Sequence, residues 1–205
     1  IKNPLTPMKL NLQYLQMMMK NNSEDFREKF EKASAGIIEQ IDTLAGIATE
    51  FSNLARLPVS QLQKISISEV ISSSLSLFEK ESKIKITNHF DGKDIYITGD
   101  KDQCLRVFNN IIKNSINAME NTPLPNLEIN YTENENQIIV KVKDNGCGIP
   151  NKLKEKIFTP NFTTRTSGSG LGLAIVKNIM EGLGGKVWFE SEENLGTSFF
   201  LEFVR

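Results

Sequence analysis

The spacing of glycines in the last third of the chain is the feature that most restricts its fold. Nine of the 13 glycines in the 205 residues lie between positions 146 and 196. Gly168, Gly170 and Gly172 alternate directly before an apolar run with helical spacing. N–H groups exposed at the start of such a helix bind phosphate. The spacing differs from that of the Rossmann fingerprint and from that of the P-loop, which excludes both kinds of site.

A second glycine motif, "DNGCGIP", follows a predicted strand that ends at Asp144. A carboxylate at the end of a strand only accepts hydrogen bonds, so it can receive the exocyclic amino group of adenine. Gly146 and Gly148 carry no Cβ, which would allow a flat ring to approach the backbone. The alternative interpretation is a turn that leaves a strand, in which Asn-Gly is common.

The predicted helix over residues 100–120 carries asparagines on a face where a solvated helix usually has Lys, Glu and Gln. At about 100° per residue, the polar face contains Gln103, Arg106, Asn110, Asn114, Asn117 and Asn121, and the apolar face contains Leu105, Phe108, Ile112, Ile116 and Met119. Asparagine is a poor helix former. Amide oxygens on successive turns suit a Mg²⁺ ion that keeps several waters and shares substrate phosphates. The alternative is a merely polar face.

A polar segment, residues 151–167, separates the two glycine motifs and carries Arg165 close to the second of them. We interpret this segment as a lid that brings one cation toward a terminal phosphate. Each motif alone also has an ordinary structural explanation. Their order is much more restrictive: an Asn-rich helix, Asp-x-Gly-x-Gly, a lid, and Gly-x-Gly-x-Gly opening a helix.

The first 57 residues carry two apolar seams with helical spacing and lack the strand alternation of the later chain. The seams consist of Ile1, Leu5, Met8, Leu12, Leu15 and Met19, and of Phe26, Phe30, Ala33, Ile37, Ile41, Leu44, Ala48 and Phe51. Ser23 is a suitable N-cap for the second helix, and Pro58 ends it. Because two helices alone bury little surface, the seams predict an antiparallel hairpin that forms a homodimer through residues 1–57, a four-helix bundle.

The chain after Pro58 mixes helix and strand signals, which predicts an α+β fold. Helices are predicted at 67–81, 100–120 and 172–183, and strands at 83–90, 94–100, 127–133, 137–144, 186–191 and 197–204. Consecutive strand pairs favour an α/β-sandwich that has a mixed sheet and helices on one face. We therefore divide the chain into a hairpin domain, residues 1–60, and a second domain, residues 61–205.

Charge, cysteine content and hydropathy restrict the classes of binding partner and the cellular location that the sequence predicts. The net charge of −1 gives no general attraction to nucleic acid or to acidic membranes. The two cysteines, Cys104 and Cys147, argue against a secreted disulfide framework. No apolar run approaches the ~20 residues that span a bilayer. The sequence therefore predicts a cytoplasmic location and no direct membrane contact by these residues.

Together these motifs resemble the catalytic region of bacterial sensor histidine kinases, and the resemblance covers essentially the whole chain. These kinases share their ATP-binding fold with type II topoisomerases, a heat-shock chaperone family and mismatch-repair ATPases. "NNIIKNSINAM" resembles the N box, "DNGCGIP" the G1 box, "IFTPNFTTR" the F box, "GSGLGL" the G2 box and "GTSFFLEF" the closing segment. "EFSNLARLP" resembles the end of the second helix in nitrogen-regulation-type sensors.

The resemblance implies ATP and Mg²⁺ as cofactors. It implies that Asp144 binds adenine, with Thr197 beside it, and that Asn114 is the principal metal ligand. Arg165 and the lid glycines would lie at the phosphates. The full set of implied ATP-binding residues is Asn110, Lys113, Asn114, Asp144, Gly146, Gly148, Arg165, Gly168, Ser169, Gly170, Leu171, Gly172 and Thr197. Asn161 departs from the family, which usually has an aromatic residue at that position.

The reaction that the resemblance implies is transfer of the γ-phosphoryl group of ATP to a histidine, and then to an aspartate of a response regulator receiver domain. Asn110, a catalytic position, stands where the ATPase branches typically place a glutamate that activates water. Asparagine is a poor base, which favours phosphoryl transfer over hydrolysis. The alternatives are an ATP-hydrolysing conformational clamp of the same superfamily and a nucleotide-free dimerisation module.

The opening "IKNPLTP" resembles the end of the phosphoacceptor box. Asn3 matches the catalytic position that orients water when such kinases dephosphorylate their regulator. The resemblance places the phosphorylated histidine two positions before Ile1, outside these residues, and implies a longer sensor anchored in the inner membrane. His89, the only histidine in the sequence, falls in a predicted strand. We interpret His89 as an ordinary sheet residue and not as the phosphoacceptor.

Overall fold

The computed structural model describes residues 2–20, 26–55, 60–78, 84–90, 92, 95–165 and 169–205. The chain divides into a unit of residues 1–56 and 164–169, which contains the two N-terminal helices and is called the helical unit, and a larger unit of residues 57–163 and 170–205. Of the helices within the described ranges, none combines the length and the apolarity that a membrane crossing demands.

The helical unit consists of two helices, α1 (Lys2–Lys20) and α2 (Phe26–Ala55). The two helices pack on each other, so the predicted hairpin is confirmed. Leu15 and Met18 of α1 and Ala33 of α2 are buried. Lys20 lies in the last turn of α1, where a positive charge is favoured by the helix dipole.

Much of the apolar surface of both helices remains exposed. Leu12 and Met19, both in the predicted seam of α1, are 52% and 69% exposed in the single chain. A single partner helix covers one line of side chains, and within the run of three methionines that line passes through Met18. Among the described residues of the unit, the large apolar side chains that are exposed are Leu5, Leu10, Leu12, Tyr14, Met17, Met19, Phe30, Ile38 and Ile41. The predicted Ser23 cap and Pro58 stop lie outside the described residues.

The larger unit is built on a five-stranded mixed sheet with helices on one face, which confirms the predicted α+β class. Its helices are α3 (Ile67–Ser76), α4 (Lys101–Ala118) and α5 (Gly172–Gly182), and its strands are β1 (Gln63–Ser66), β2 (Lys85–Asn88), β3 (Tyr96–Gly99), β4 (Asn126–Glu133), β5 (Gln137–Asp144), β6 (Lys186–Glu192) and β7 (Gly196–Val204). The strand order is β2-β4-β5-β7-β6. β2 runs parallel to β4, and the other neighbours are antiparallel.

A separate two-stranded sheet pairs β1 with β3, and Ile65 lies opposite Ile97. The sequence does not predict β1, because Ile65 is the single buried residue in its four positions and no alternation can be read from them. The sequence does predict both β2 and β3. They are neighbours in sequence but join different sheets, unlike the β4–β5 and β6–β7 hairpins.

α4 brings the polar residues of the site against the sheet. Its buried stripe packs on the strands, and the Phe108 ring stacks on that of Phe203 in β7 at a centroid distance of 6.1 Å. The predicted faces need two corrections. Ile111 is fully buried, whereas Gln103, assigned to the polar face, is only 5% exposed and accepts a hydrogen bond from Ser60 Oγ. The side chain of Gln103 therefore belongs to the core and not to a ligand face.

Candidate functional site

The end of β5 places one carboxylate, that of Asp144, in the interior, where it is 1% exposed. Its Oδ1 accepts hydrogen bonds from the Gly146 N–H at 2.9 Å and from the Thr197 N–H at 3.2 Å. Its Oδ2 is buried and has no hydrogen-bond partner among the described residues. Asp144 therefore offers one unused acceptor.

Burial raises the pKa of the Asp144 carboxyl above its ordinary value, because the ionised form loses hydration. Three groups oppose this rise and lower the pKa of Asp144: the Gly146 N–H, the Ser115 hydroxyl and the Thr197 N–H. Ser115 Oγ is buried, but it forms no hydrogen bond of ordinary geometry with a described group. A ligand that donates to Oδ2 would satisfy an acceptor that the protein leaves unpaired.

Gly146 and Gly148 have a different structural role from the one that the sequence predicts. A Cβ on Gly146 would lie 2.6 Å from the carbonyl carbon of Ala118, at the end of α4. Gly148 has a φ of 66°, and a Cβ there would overlap the Glu192 carbonyl oxygen. These glycines let the turn after β5 press against α4 and the end of β6. The space that a Cβ would fill is occupied by protein backbone and not by room for a ring.

Three polar side chains lie in a row across β5, β7 and β6. Asp144 is the cross-strand partner of Thr197, and Thr197 is that of Ser191. Cross-strand partners share a face of the sheet, so Thr197 lies beside Asp144 as the resemblance implies. Sequence analysis missed Ser191, whose Oγ lies 3.0 Å from Thr197 Oγ1. Its position in the row follows only from the strand register.

The N-box asparagine meets the second glycine motif. Asn110 Nδ2 donates to the Arg106 carbonyl oxygen at 2.8 Å, so Oδ1 is left for other contacts. A Cβ on Gly172 would lie 2.7 Å from that Oδ1. Glycine at the start of α5 therefore allows this helix to begin beside Asn110. The Asn110 motif and the second glycine motif are distant in sequence but adjacent in the fold.

Asn114 lies one turn after Asn110 on the same side of α4 and is half-buried, whereas Lys113 is exposed. Within the part of the chain that the structure describes, no three His, Cys, Asp or Glu side chains are grouped as a metal site. The roles of Asn114 as a Mg²⁺ ligand and of Lys113 in ATP binding stay predictions.

The predicted lid is anchored at its beginning. It starts with a 3₁₀ helix (Asn151–Lys156), after which Ile157 is buried. The Phe158 ring then meets the Phe189 ring of β6 edge-on at 5.9 Å. Phe158, within the segment that resembles the F box, therefore ties the lid to the sheet.

The departure from the family at Asn161 has a backbone explanation. Asn161 has a φ of 64°, a conformation that asparagine tolerates better than an aromatic residue does. Gly170, with a φ of 69°, approaches this residue so closely that a Cβ on it would lie 2.7 Å from the Asn161 carbonyl carbon. The F box and the G2 box therefore touch through their backbones.

The remaining predicted site residues differ in how far they are buried. Leu171 is fully buried and belongs to the core, whereas Arg165 is exposed and Ser169 is half-buried. Gly168 and the side chain of Asn3 lie outside the described residues. The roles assigned to these residues stay predictions.

His89 follows β2 directly, and its N–H donates to the Ile129 carbonyl oxygen at 3.0 Å. Its Nε2 lies 3.5 Å from Glu128 Oε1, and half of the side chain is exposed. The structure thus places His89 beside a strand of the sheet, close to the Glu128 carboxylate at the surface, and not on a helix.

Comparisons with known proteins agree with this geometry. A family model described as "Histidine kinase-, DNA gyrase B-, and HSP90-like ATPase" matches residues 99–205. Sporulation kinase A of Bacillus subtilis (strain 168) is 31% identical over 209 residues, which cover 100% of this chain and 33% of the relative. Nitrogen regulation protein NtrY of Azorhizobium caulinodans is 29% identical, with 91% of this chain and 25% of the relative covered. The chain spans a third or less of the length of these two relatives.

A solved structure, the nucleotide-free catalytic domain of histidine kinase ThkA, is 34% identical with a TM-score of 0.63, covering 70% of this chain and 95% of that chain. ThkA in complex with the response regulator protein TrrA has a TM-score of 0.74 at 24% identity, covering 98% of this chain and 58% of that chain. At that identity the second likeness concerns the fold alone.

Proposed function

Because the chain belongs to the family of histidine kinase-, DNA gyrase B- and HSP90-like ATPases and contains a histidine kinase catalytic domain, we propose that it is the core of a two-component sensor kinase. The γ-phosphoryl group of ATP moves to a histidine and then to an aspartate of a response regulator. The observation that carries the proposal is the buried, unpaired Oδ2 of Asp144, which matches the donor edge of adenine.

The nucleotide is held between α4, the turn after β5 and the start of α5. Asp144 Oδ2 accepts a hydrogen bond from the exocyclic amino group. Gly172 lets the two helices meet beside Asn110, and no described side chain forms a hydrogen-bonded cap on α5. The N–H groups of the first turn of that helix then serve the phosphates.

Asn114 is the candidate ligand for Mg²⁺, which when bound neutralises charge on the phosphates. Asn110 has no basic group, and its Nδ2 is engaged with the Arg106 carbonyl. It therefore cannot take a proton from water, which favours phosphoryl transfer over hydrolysis. The chain contributes chiefly position and charge to such a reaction.

The exposed apolar surface of α1 and α2 supports a homodimer through residues 1–57. Leu10, Met17 and Ile38 are each more than half exposed, and large exposed apolar surface is typical of an interaction site. A second copy would cover it by completing a four-helix bundle. In the full protein Asn3 would orient water during dephosphorylation of the regulator, and this region would lie on the cytoplasmic side of a membrane-anchored sensor.

Two measurements test the proposal. Titration of the chain with ATP, with and without Mg²⁺, should show binding, and its absence would reject every nucleotide-dependent function. The protein extended upstream of Ile1, so that it includes the expected histidine, should then take label from γ-labelled ATP. A phosphohistidine is acid-labile and alkali-stable, whereas steady phosphate release without labelled protein would identify the hydrolysing clamp instead.

The Gly172→Ala substitution is expected to slow labelling of the extended protein by roughly 10- to 100-fold, since a misplacement of about 1 Å has an effect of this size. The new methyl group would meet Asn110 Oδ1 at 2.7 Å and displace that side chain, while alanine itself suits a helix. The rate of label incorporation under saturating ATP measures the effect. In an Asn110→Ala background the same substitution should add little, and an undiminished further loss would show that Gly172 acts independently of Asn110.

The His89→Gln substitution is expected to leave ATP affinity and label incorporation unchanged. Glutamine keeps a hydrogen-bonding group near Glu128, which His89 Nε2 approaches to 3.5 Å. The extended protein should be labelled equally with either residue, and replacement of the upstream histidine serves as the positive control. If labelling were lost in His89→Gln, the histidine on the sheet would be the phosphoacceptor after all.

A further inference from the structure

Ser191, in β6, has three polar neighbours in fixed directions. Its Oγ accepts a hydrogen bond from the Ile149 N–H at 2.8 Å. It donates to the Gly196 carbonyl oxygen at 2.9 Å. Its third neighbour is Thr197 Oγ1 at 3.0 Å, and in that pair either hydroxyl could be the donor.

The first two bonds decide the direction of the third. A serine hydroxyl has one proton and two lone pairs. The carbonyl of Gly196 can only accept, so it takes the proton of Ser191, and the amide of Ile149 can only donate, so it takes one lone pair. The remaining lone pair of Ser191 can only receive a proton, which Thr197 must supply. The hydroxyl of Thr197 therefore has its proton committed and can offer a ligand only its lone pairs.

A second acceptor lies next to Thr197. Asp144 is its cross-strand partner on the same face of the sheet, and Asp144 Oδ2 is without a partner among the described groups. Both residues are almost completely buried, so water compensates neither acceptor fully. This pair of acceptors fits a ligand edge that carries hydrogen-bond donors, such as an amino group, and disfavours an edge that carries a carbonyl oxygen.

We propose that Ser191 is a positioning residue for base selection: by holding the proton of Thr197, it keeps Thr197 an acceptor toward the 6-amino group of adenine and against the 6-oxo group of guanine. The inference rests on the proposed function, since it assumes a purine nucleotide at Asp144. Ser191 itself does not contact the nucleotide. Without it, the Thr197 proton can be offered to the neighbouring carboxylate, which is the acceptor that the base needs.

The test compares three nucleotides on the same chain: ATP, GTP, and purine riboside triphosphate, which lacks any group at position 6. Ser191→Ala is expected to weaken ATP binding about three- to tenfold, the range for one neutral hydrogen bond, and to lower the ratio of ATP to GTP affinity. Binding of purine riboside triphosphate should not change. Ser191→Thr, which retains the hydroxyl and suits a strand, should restore both the affinity and the selectivity.

A double-substitution cycle separates this role from a structural one. Thr197→Val removes the acceptor directly and should show the same loss, specific to the 6-amino group. In that background Ser191→Ala should cause no further loss of ATP affinity. An equal loss for purine riboside triphosphate, a persistent loss in the Thr197→Val background, or no loss in either single variant would overturn the inference.

The series also separates this inference from the proposed function. If Ser191→Ala does not fold, Ser191→Val, which also lacks the hydroxyl and suits a strand, takes its place in both comparisons with the same expected losses. If the wild-type chain binds none of the three nucleotides, the proposed function fails, and the inference fails with it.

Discussion

Replacing Asp144 with asparagine is expected to abolish nucleotide binding while the domain stays folded. The asparagine Oδ1 can still accept from the Gly146 and Thr197 N–H groups, which Asp144 Oδ1 receives at 2.9 and 3.2 Å. Its Nδ2 then stands in the place of Oδ2 and presents a donor to the amino group of adenine. Loss of a charged acceptor, with two donors facing each other, should weaken binding roughly 100-fold or more.

Calorimetric titration with ATP and Mg²⁺ measures this loss. Asp102→Asn is a matched control, because Asp102 is an exposed carboxylate in the first turn of α4, away from the end of β5. The control should bind as the wild type does, and both variants should retain the wild-type circular dichroism spectrum. Retention of ATP affinity in Asp144→Asn would reject the assignment of Asp144 to the adenine amino group.

The same substitution should change how stability depends on pH. Burial raises the pKa of the folded Asp144 carboxyl, so the folded state binds this proton more tightly than the unfolded state. The stabilising contribution is complete below the unfolded pKa and is lost as the pH rises through the folded pKa. Asparagine does not titrate. The free energy of unfolding of Asp144→Asn minus that of the wild type should therefore increase from about pH 4 to neutrality. Urea unfolding at several pH values gives this difference, and a decrease would contradict desolvation as the dominant cause.

The parts of the site that could be predicted from sequence are those with local signals. Asp144 ends an alternating strand, and Gly172 opens an apolar helix, so each could be assigned before any contact was known. The Asn110 position follows from helical periodicity, since one turn separates it from Asn114. These features are decided by residues within a few positions of each other.

The parts that could not be predicted depend on contacts between distant segments. Nothing near Ser191 distinguishes it from another strand serine until the β6–β7 register places it opposite Thr197. The requirement for glycine at 148 likewise arises from the Glu192 carbonyl on another strand. A shift of one residue in register would place each side chain on the other face of the sheet. Sequence patterns predicted the strands but not these pairings.

The helical unit shows a different limit of prediction from sequence, which concerns the side chains that packing covers. Its apolar beat predicts a single seam, but Met17, Met18 and Met19 offer three neighbouring choices, and packing selects Met18. Periodicity specifies that a helix has an apolar side, whereas the partner decides which side chains of that side are covered. The apolar residues that remain exposed are available for contact with another chain, and their exposure does not contradict the helix prediction.

Replacing Gly148 with alanine is expected to destabilise the larger unit by about 3 kcal/mol or more. Gly148 has a φ of 66°, and a side chain in this conformation costs about 1–2 kcal/mol. In addition, its Cβ would overlap the Glu192 carbonyl oxygen, and crowding of this kind typically costs about 1–3 kcal/mol. Because the obstacle is backbone at the end of β6, no side chain can rotate to relieve it. The thermal midpoint should fall by roughly 6–12 °C.

Alanine substitutions at three further glycines separate the cost of the left-handed φ from the cost of crowding around the new Cβ. Gly184 has a φ of 74°, and a Cβ on it would meet nothing within 4 Å, so alanine there should cost about 1–2 kcal/mol from the backbone alone. Gly146 has no left-handed φ but would place its Cβ 2.6 Å from Ala118, so its alanine variant reports crowding alone. Gly182, in the last turn of α5 with no atom within 4 Å, should be neutral or gain up to about 1 kcal/mol. Denaturant unfolding of the four variants should rank Gly148→Ala as the least stable. If Gly184→Ala matched it, backbone strain and not the contact with Glu192 would explain why glycine is required at position 148.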